Sequence, residues 1–274
     1  MNLSEETDFI FSKPKNRFLK EIVLSYFYVN LDVSEVFLKT EYIIPYPRVT
    51  FGYFFDKPFN VYNISRNEIK QENSLASKVI KDQIIVTPTT NKIQILGAHL
   101  KPYALALFTN KSISRFHWSM TPFEILDIKA KKFEERLRKL NTVSKLFDLV
   151  ERSFLDALLV KDFKIIDGAV DIIDKSKPLI TVSELAEELN LTVRTLRNYF
   201  QNFIGCSPKD YLQIVRFKRA AYEMLKSKQK LTNTGYNADF YDQAHFINSF
   251  KSAIGKAPKE IKDDIENLRF LHIS

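Results

Sequence analysis

The strongest constraint on this 274-residue chain is a pattern written twice near its C-terminus. Thr192-Val-Arg-Thr-Leu-Arg-Asn-Tyr-Phe200 leads into Gln-Asn-Phe-Ile-Gly205-Cys-Ser-Pro208-Lys209. Further on, Asp242-Gln-Ala-His-Phe-Ile-Asn-Ser-Phe250 leads into Lys-Ser-Ala-Ile-Gly255-Lys-Ala-Pro258-Lys259. Six positions keep their identity at an offset of 50 residues: Asn198/Asn248, Phe200/Phe250, Ile204/Ile254, Gly205/Gly255, Pro208/Pro258 and Lys209/Lys259. Chance seldom aligns Phe, Gly and Pro together, so the pattern reads as duplicated structure.

Each copy has a mechanism. Thr192 and Asp242 are N-cap residues, whose side-chain oxygens accept a free amide at a helix start. Leu196 and Phe200, like Phe246 and Phe250, lie four apart and share a helix face. The opposite face carries Arg194, Arg197 and Asn198 in one copy, and Gln243, Ala244 and Asn248 in the other. Gly205 and Gly255 stand where a left-handed residue stops a helix. Ser207-Pro208 then restarts one, with Pro in the first turn. Upstream, Val182 to Asn190 reads as a short amphipathic helix ending in a turn. Helix, tight turn and second helix with polar exposed residues make a helix-turn-helix. The connector Pro208 to Lys226, as a helix, is about 28 Å long.

The segment resembles the DNA-binding domain of AraC/XylS-family transcriptional regulators. The resemblance is carried by Leu185-Ala186, Leu196, Phe200, Gly205-Cys-Ser-Pro208, Tyr211, Arg216-Phe-Lys-Arg-Ala220, Phe240-Tyr-Asp-Gln-Ala-His-Phe246, Phe250-Lys251 and Gly255-Lys-Ala-Pro258. It implies two helix-turn-helix units reading successive major-groove segments of double-stranded DNA, with RNA polymerase as a further partner. The recognition helices map onto Thr192 to Phe203 and Asp242 to Lys251. The candidate DNA-facing residues are therefore Arg194, Thr195, Arg197 and Asn198, with Gln243, Ala244, His245, Asn248 and Lys251. Arg donates bidentately to guanine and Asn to adenine. Many family members carry Arg where this chain has Asn198 and Asn248. The supporting helix of the second unit also departs from the family. Leu231 to Asp239 holds Gly235, which costs a helix about 1 kcal/mol relative to Ala. That helix is expected to fray in the free protein, leaving the first unit as the main source of sequence discrimination.

Charge agrees with an anionic partner. The net charge is +8, and between Arg194 and Lys230 nine Lys or Arg stand against two acids. One cysteine, Cys206, excludes an internal disulfide and suits a reducing cytosol. It reads as turn filler. No apolar run approaches membrane-spanning length and the start lacks a secretory signal, so a cytoplasmic location is expected. His99, His117, His245 and His272 show no metal-ligand spacing. No cofactor loop or nucleophile motif is visible either, so neither cofactor nor enzymatic activity is expected.

Residues 1–125 have another texture, with Phe, Tyr, Val and Ile in short runs broken by proline. Strands are predicted at 18–30, 42–44, 49–55, 84–86 and 93–100, with a short helix after Pro102. The predicted fold is α+β: an N-terminal β-sandwich or small barrel, then an all-α double helix-turn-helix domain. This region resembles the sensory β domain attached to many such regulators, which implies a small-molecule effector. Tyr42, Tyr46, Phe51, Tyr53, Phe54 and Phe55 either line its pocket or form plain core. Residues 126–160 read as a helical connector and 161–264 as the DNA-binding domain. In the connector Val143, Phe147, Val150, Phe154 and Ala157 lie at coiled-coil spacing, which serves either packing on the chain's own domain or a homodimer interface. Two functions stay open: a sequence-specific DNA-binding regulator, or a protein-interaction module with a degraded second unit and weak or no specific DNA binding. A steep loss of DNA affinity with salt marks the first.

Overall fold

The computed structural model describes residues 8–32, 34, 41–43, 45–55, 57–177, 179–226, 247–248 and 251. The strands are β1 (Asp8–Ser12), β2 (Val23–Asp32), β3 (Glu41–Ile43), β4 (Val49–Phe54), β5 (Phe59–Asn63), β6 (Glu68–Glu72), β7 (Ser74–Ser77), β8 (Ile84–Pro88), β9 (Lys92–Leu100) and β10 (Ser119–Met120). The helices are α1 (Leu19–Ile22), α2 (Pro122–Ile125), α3 (Ala130–Leu137), α4 (Val143–Ala157), α5 (Lys164–Lys175), α6 (Val182–Glu188), α7 (Val193–Phe203) and α8 (Pro208–Lys226). No helix among the described residues is long and apolar enough to cross a membrane.

The strands form two open antiparallel sheets, in the orders β1-β2-β9-β4-β7-β10 and β3-β8-β5-β6. A β-sandwich followed by helices is the α+β arrangement expected. The larger sheet is covered on both faces, which explains why β2 reads as a nearly continuous apolar run. Its alternate residues serve different cores: Phe27 and Val29 meet Val61, Ile84 and Val86 of the smaller sheet. Tyr26 and Tyr28 belong to the core that continues into the helices.

The run from Phe18 departs from expectation. It opens with the single turn α1 before β2 begins at Val23. The cause is tertiary: the Asn16 side chain accepts the Phe18 and Leu19 amides. Glu151 of α4 in turn accepts the Lys15 amide at 3.0 Å and the Asn16 amide at 2.7 Å. Strands β1, β5, β6, β7 and β10 were not foreseen. Of these β6 (Glu-Ile-Lys-Gln-Glu) is mostly polar and is a strand because β5 pairs with it. After Pro102 the expected helix is a 3-10 turn, Ala104–Leu107.

In α4 the seam residues Phe147, Val150 and Phe154 are buried. Phe147 stacks on Tyr26 at 5.9 Å, and Phe154 meets Phe51 at 5.2 Å and Phe108 at 5.4 Å. The chain's own sheet therefore fills this face. The same core runs on without a break through Ile166, Leu185, Leu196, Phe200 and Val215 of α5 to α8.

Gly97 is required where β9 crosses β2 and β4. A Cβ there would strike the Phe27 ring and the Phe51 carbonyl oxygen, and a backbone atom cannot swing away. Gly97→Ala should lose about 3 kcal/mol, the upper end for overpacking. Urea unfolding followed by far-UV circular dichroism measures it, and a loss below about 0.5 kcal/mol would contradict this account.

Candidate nucleic-acid interface

Helix α6 begins at a capping box. Thr181 Oγ1 accepts the Glu184 amide at 3.3 Å, and the Glu184 carboxylate accepts the Thr181 amide at 2.8 Å. Hydrogen bonding to Thr181, its backbone amide first and its side chain second, holds the Glu184 carboxyl below its usual range. The helix gives way to a turn in which Asn190 takes φ 53°. Thr192 caps α7 by accepting the Thr195 amide at 3.1 Å, and its hydroxyl lies 2.9 Å from that of Thr195.

Within α7, Leu196 and Phe200 are fully buried, while Arg194, Arg197 and Asn198 are exposed. Thr195 is half-buried, closing the cap rather than standing on the open face. Val193 is 39% exposed beside Arg194 and Arg197. It went unread in the sequence because an apolar residue at a helix start looks like a staple to the core.

Gly205 ends α7 with φ 94°, its amide bonded to the Phe200 carbonyl. Ser207 then caps α8: its Oγ accepts the Asp210 amide at 3.1 Å and donates to the Asp210 carboxylate at 2.7 Å. Burial, with Asp210 nearby, pushes the Cys206 thiol up to about 12, which fits turn filler.

The basic excess is partly turned inward. The Lys218 ammonium sits 4.8 Å over the Tyr46 ring, and Arg219 donates to the Ile173 carbonyl at 2.8 Å. Lys209 is exposed. Of the second copy, Asn248 and Lys251 are helical and exposed, and the Lys251 carbonyl meets Gln83 Nε2 at 3.5 Å. Gln243, Ala244, His245 and the supporting helix 231–239 lie outside the described residues.

Contacts from the β region to α7 and α8 were invisible in the sequence. Ser112 donates to the Gln201 carbonyl at 3.3 Å, and Ile113 packs where a Cβ on Gly205 would be. Lys81 pairs with Asp210 at 2.5 Å. Among the described residues no group of three or more His, Cys, Asp or Glu could hold a metal.

A cavity of about 150 Å³ lies between the sheets, lined by Phe27, Tyr46, Arg48, Phe54, His99 and Trp118 among others. Of the aromatic residues expected at a pocket, Tyr46 and Phe54 line this one. Phe51 and Tyr53 line a smaller cavity of about 40 Å³ under α2 to α4. Phe55 packs against the main core.

These elements define a helix-turn-helix domain joined through one core to an open β-sandwich. Residues 185–264 match the family model described as a helix-turn-helix domain. The HTH-type transcriptional activator RhaS of Mannheimia succiniciproducens is 32% identical over 79 residues, covering 29% of this chain and 30% of that protein. The Msm operon regulatory protein of Streptococcus mutans is 30% identical over 88 residues, 32% of each chain. The chain thus spans about a third of the length of these curated relatives. ToxT from Vibrio cholerae shares the fold, with a TM-score of 0.53 at 11% identity, covering 87% of this chain and 97% of that one. The C-terminal third of the chain is a helix-turn-helix domain of the AraC/XylS family.

Gly205→Ala would force a side chain into the left-handed region and onto Ile113, 2.8 Å from its Cγ2. A loss of about 2 kcal/mol is expected, mostly from the backbone conformation. Amide exchange should quicken over the end of α7; unchanged melting and exchange would show that this seat is not tight.

Proposed function

We propose that this protein is a sequence-specific DNA-binding regulator of transcription that reads two successive major-groove segments with two helix-turn-helix units. One observation carries the reading. Helix α7 buries Leu196 and Phe200 completely while holding Arg194, Arg197 and Asn198 in solvent behind a capped, well-anchored start. Such a face matches guanine and adenine edges, and Val193 adds apolar surface for a thymine methyl. The second unit places Gln243, Ala244, His245, Asn248 and Lys251 against the next segment. Helix α8, 19 residues and so about 28 Å long, suits that spacing.

Residues 161–264 are the reading part in this proposal, 1–125 the controlling part and 126–160 the join between them. The inter-sheet cavity is the candidate site for a small-molecule effector, and RNA polymerase the expected protein partner. A homodimer, if formed, uses a surface other than the α4 seam, which the sheet already covers. No chemical step is assigned, and action in the cytoplasm follows from the DNA partner.

Selection of duplexes from a random pool tests the reading directly. A recovered motif with two conserved blocks about one helical turn apart is expected, with affinity falling steeply with salt. Recovery of no motif would favour a protein-interaction module. Arg197→Ala should cost about 1–3 kcal/mol and relax preference at particular base pairs. Gln243→Ala should cost less, since it removes one neutral contact beside a supporting helix weakened at Gly235. If Gln243→Ala proves the more damaging of the two, the first unit is not the main reader.

A further inference from the structure

Residues 78–83 join β7 to β8, and their side chains alternate between two surroundings. Lys78, Ile80 and Asp82 line the inter-sheet cavity. Val79 is buried in the core that continues into the helices. Lys81 pairs with Asp210 at 2.5 Å and donates to Gln213 Oε1 at 3.1 Å, both on α8. Gln83 meets the Lys251 carbonyl.

A second connection runs from Lys78 itself. Its ammonium donates to the Phe116 carbonyl at 2.6 Å and approaches the Ile113 carbonyl at 3.5 Å. Ile113 is the residue seated against Gly205 at the end of α7. A third is Tyr46, which lines the cavity while Lys218 of α8 sits over its ring. In so short a connection, a shift of the residues on one side displaces their neighbours on the other. The cavity wall and the seat of the first helix-turn-helix are thus made of the same few residues.

We propose that residues 78–83, together with Tyr46, form a two-sided strap that transmits filling of the inter-sheet cavity to the seating of α7 and α8. An occupant would shift that seating by as much as it favours one arrangement of the strap over another. Only the consequence for DNA rests on the proposed function; the coupling between cavity and helices does not.

The test fills the cavity without needing its ligand. Gly52 shares a face of β4 with the cavity residues Thr50 and Phe54, and a Cβ there meets nothing closer than the Phe54 ring at 3.9 Å. Gly52→Leu therefore occupies the cavity from its β4 wall, with Gly52→Ala as the milder variant should Leu not fold. Cys206, the chain's single cysteine, reports on the seat between Gly205 and Ser207. Its alkylation by iodoacetamide is measured in the full-length protein, with and without Lys81→Met, and amide exchange over residues 205–215 is followed in parallel.

Filling the cavity should change the Cys206 rate at least threefold. That change should shrink to less than half in the Lys81→Met background. Lys81→Met also removes a nearby charge, but it does so in both arms, so the ratio isolates the coupling. An identical ratio in both backgrounds, whether unity or not, would overturn the strap. DNA affinity of the same four proteins separates the two readings. Coupling seen at Cys206 in protein that does not bind DNA refutes the function and leaves the strap standing.

Discussion

The architecture depends on burial of α4 against the outer face of the larger sheet. Phe154 lies at its centre, with the rings of Phe51, Phe108 and Tyr26 within 6.3 Å. Burying one such side chain is worth about 1.5–3 kcal/mol, and each well-placed aromatic pair adds roughly 0.5–1.5 kcal/mol. Four rings interlocked in this way leave the helix one orientation. From that anchor the apolar core continues to Leu185, Leu196, Phe200 and Ile204. Helix α7 therefore takes its position from the sheet, through contacts that close packing makes stiff.

Polar contacts then select among apolar arrangements that would otherwise be nearly equivalent. Asp167 of α5 receives Lys101 and the Tyr103 hydroxyl, each at 2.6 Å, tying α5 to the end of β9. Burial and that hydrogen bond keep the Tyr103 phenol well above its usual range, and so neutral and donating. The half-exposed pair Lys81–Asp210 contributes about 1 kcal/mol at most, so its role is registration rather than stability. Glu151 differs because it is buried and accepts two backbone amides. Without it those two amides would lose the acceptor they share.

Much of the helical part was legible. Caps at Thr192 and Ser207 and the stop at Gly205 are short-range devices, written within three or four residues of where they act; the capping box at Thr181 is equally local but went unread. The five predicted strands are present because each carries an apolar run, and three of them, β2, β4 and β9, lie in the twice-covered sheet. The strands that were missed have another origin. Strand β6 is polar and edge-like, and β7 is Ser-Leu-Ala-Ser; neither has a pattern of its own, and both exist through their neighbours. The basic tally from Arg194 to Lys230 agreed with an anionic partner. It could not reveal that Lys218 and Arg219 face the protein, since a residue count carries no direction.

By itself, the sequence determined the first helix-turn-helix, the exposed polar face of α7 and a β-rich first half, because these follow from local periodicity and capping. Tertiary structure alone decided how the two halves meet. Whether Phe147, Val150 and Phe154 faced a second copy or the chain's own sheet depended on distant residues such as Tyr26, Phe51 and Phe108. The alternation of residues 78–83 between cavity and helices has the same character. Nothing in Lys78-Val-Ile-Lys-Asp-Gln83 distinguishes a solvent loop from a wall shared by two cores. That distinction arises only when Gly205, Ile113 and Asp210, remote in the chain, are brought against it by burial of the surfaces between them.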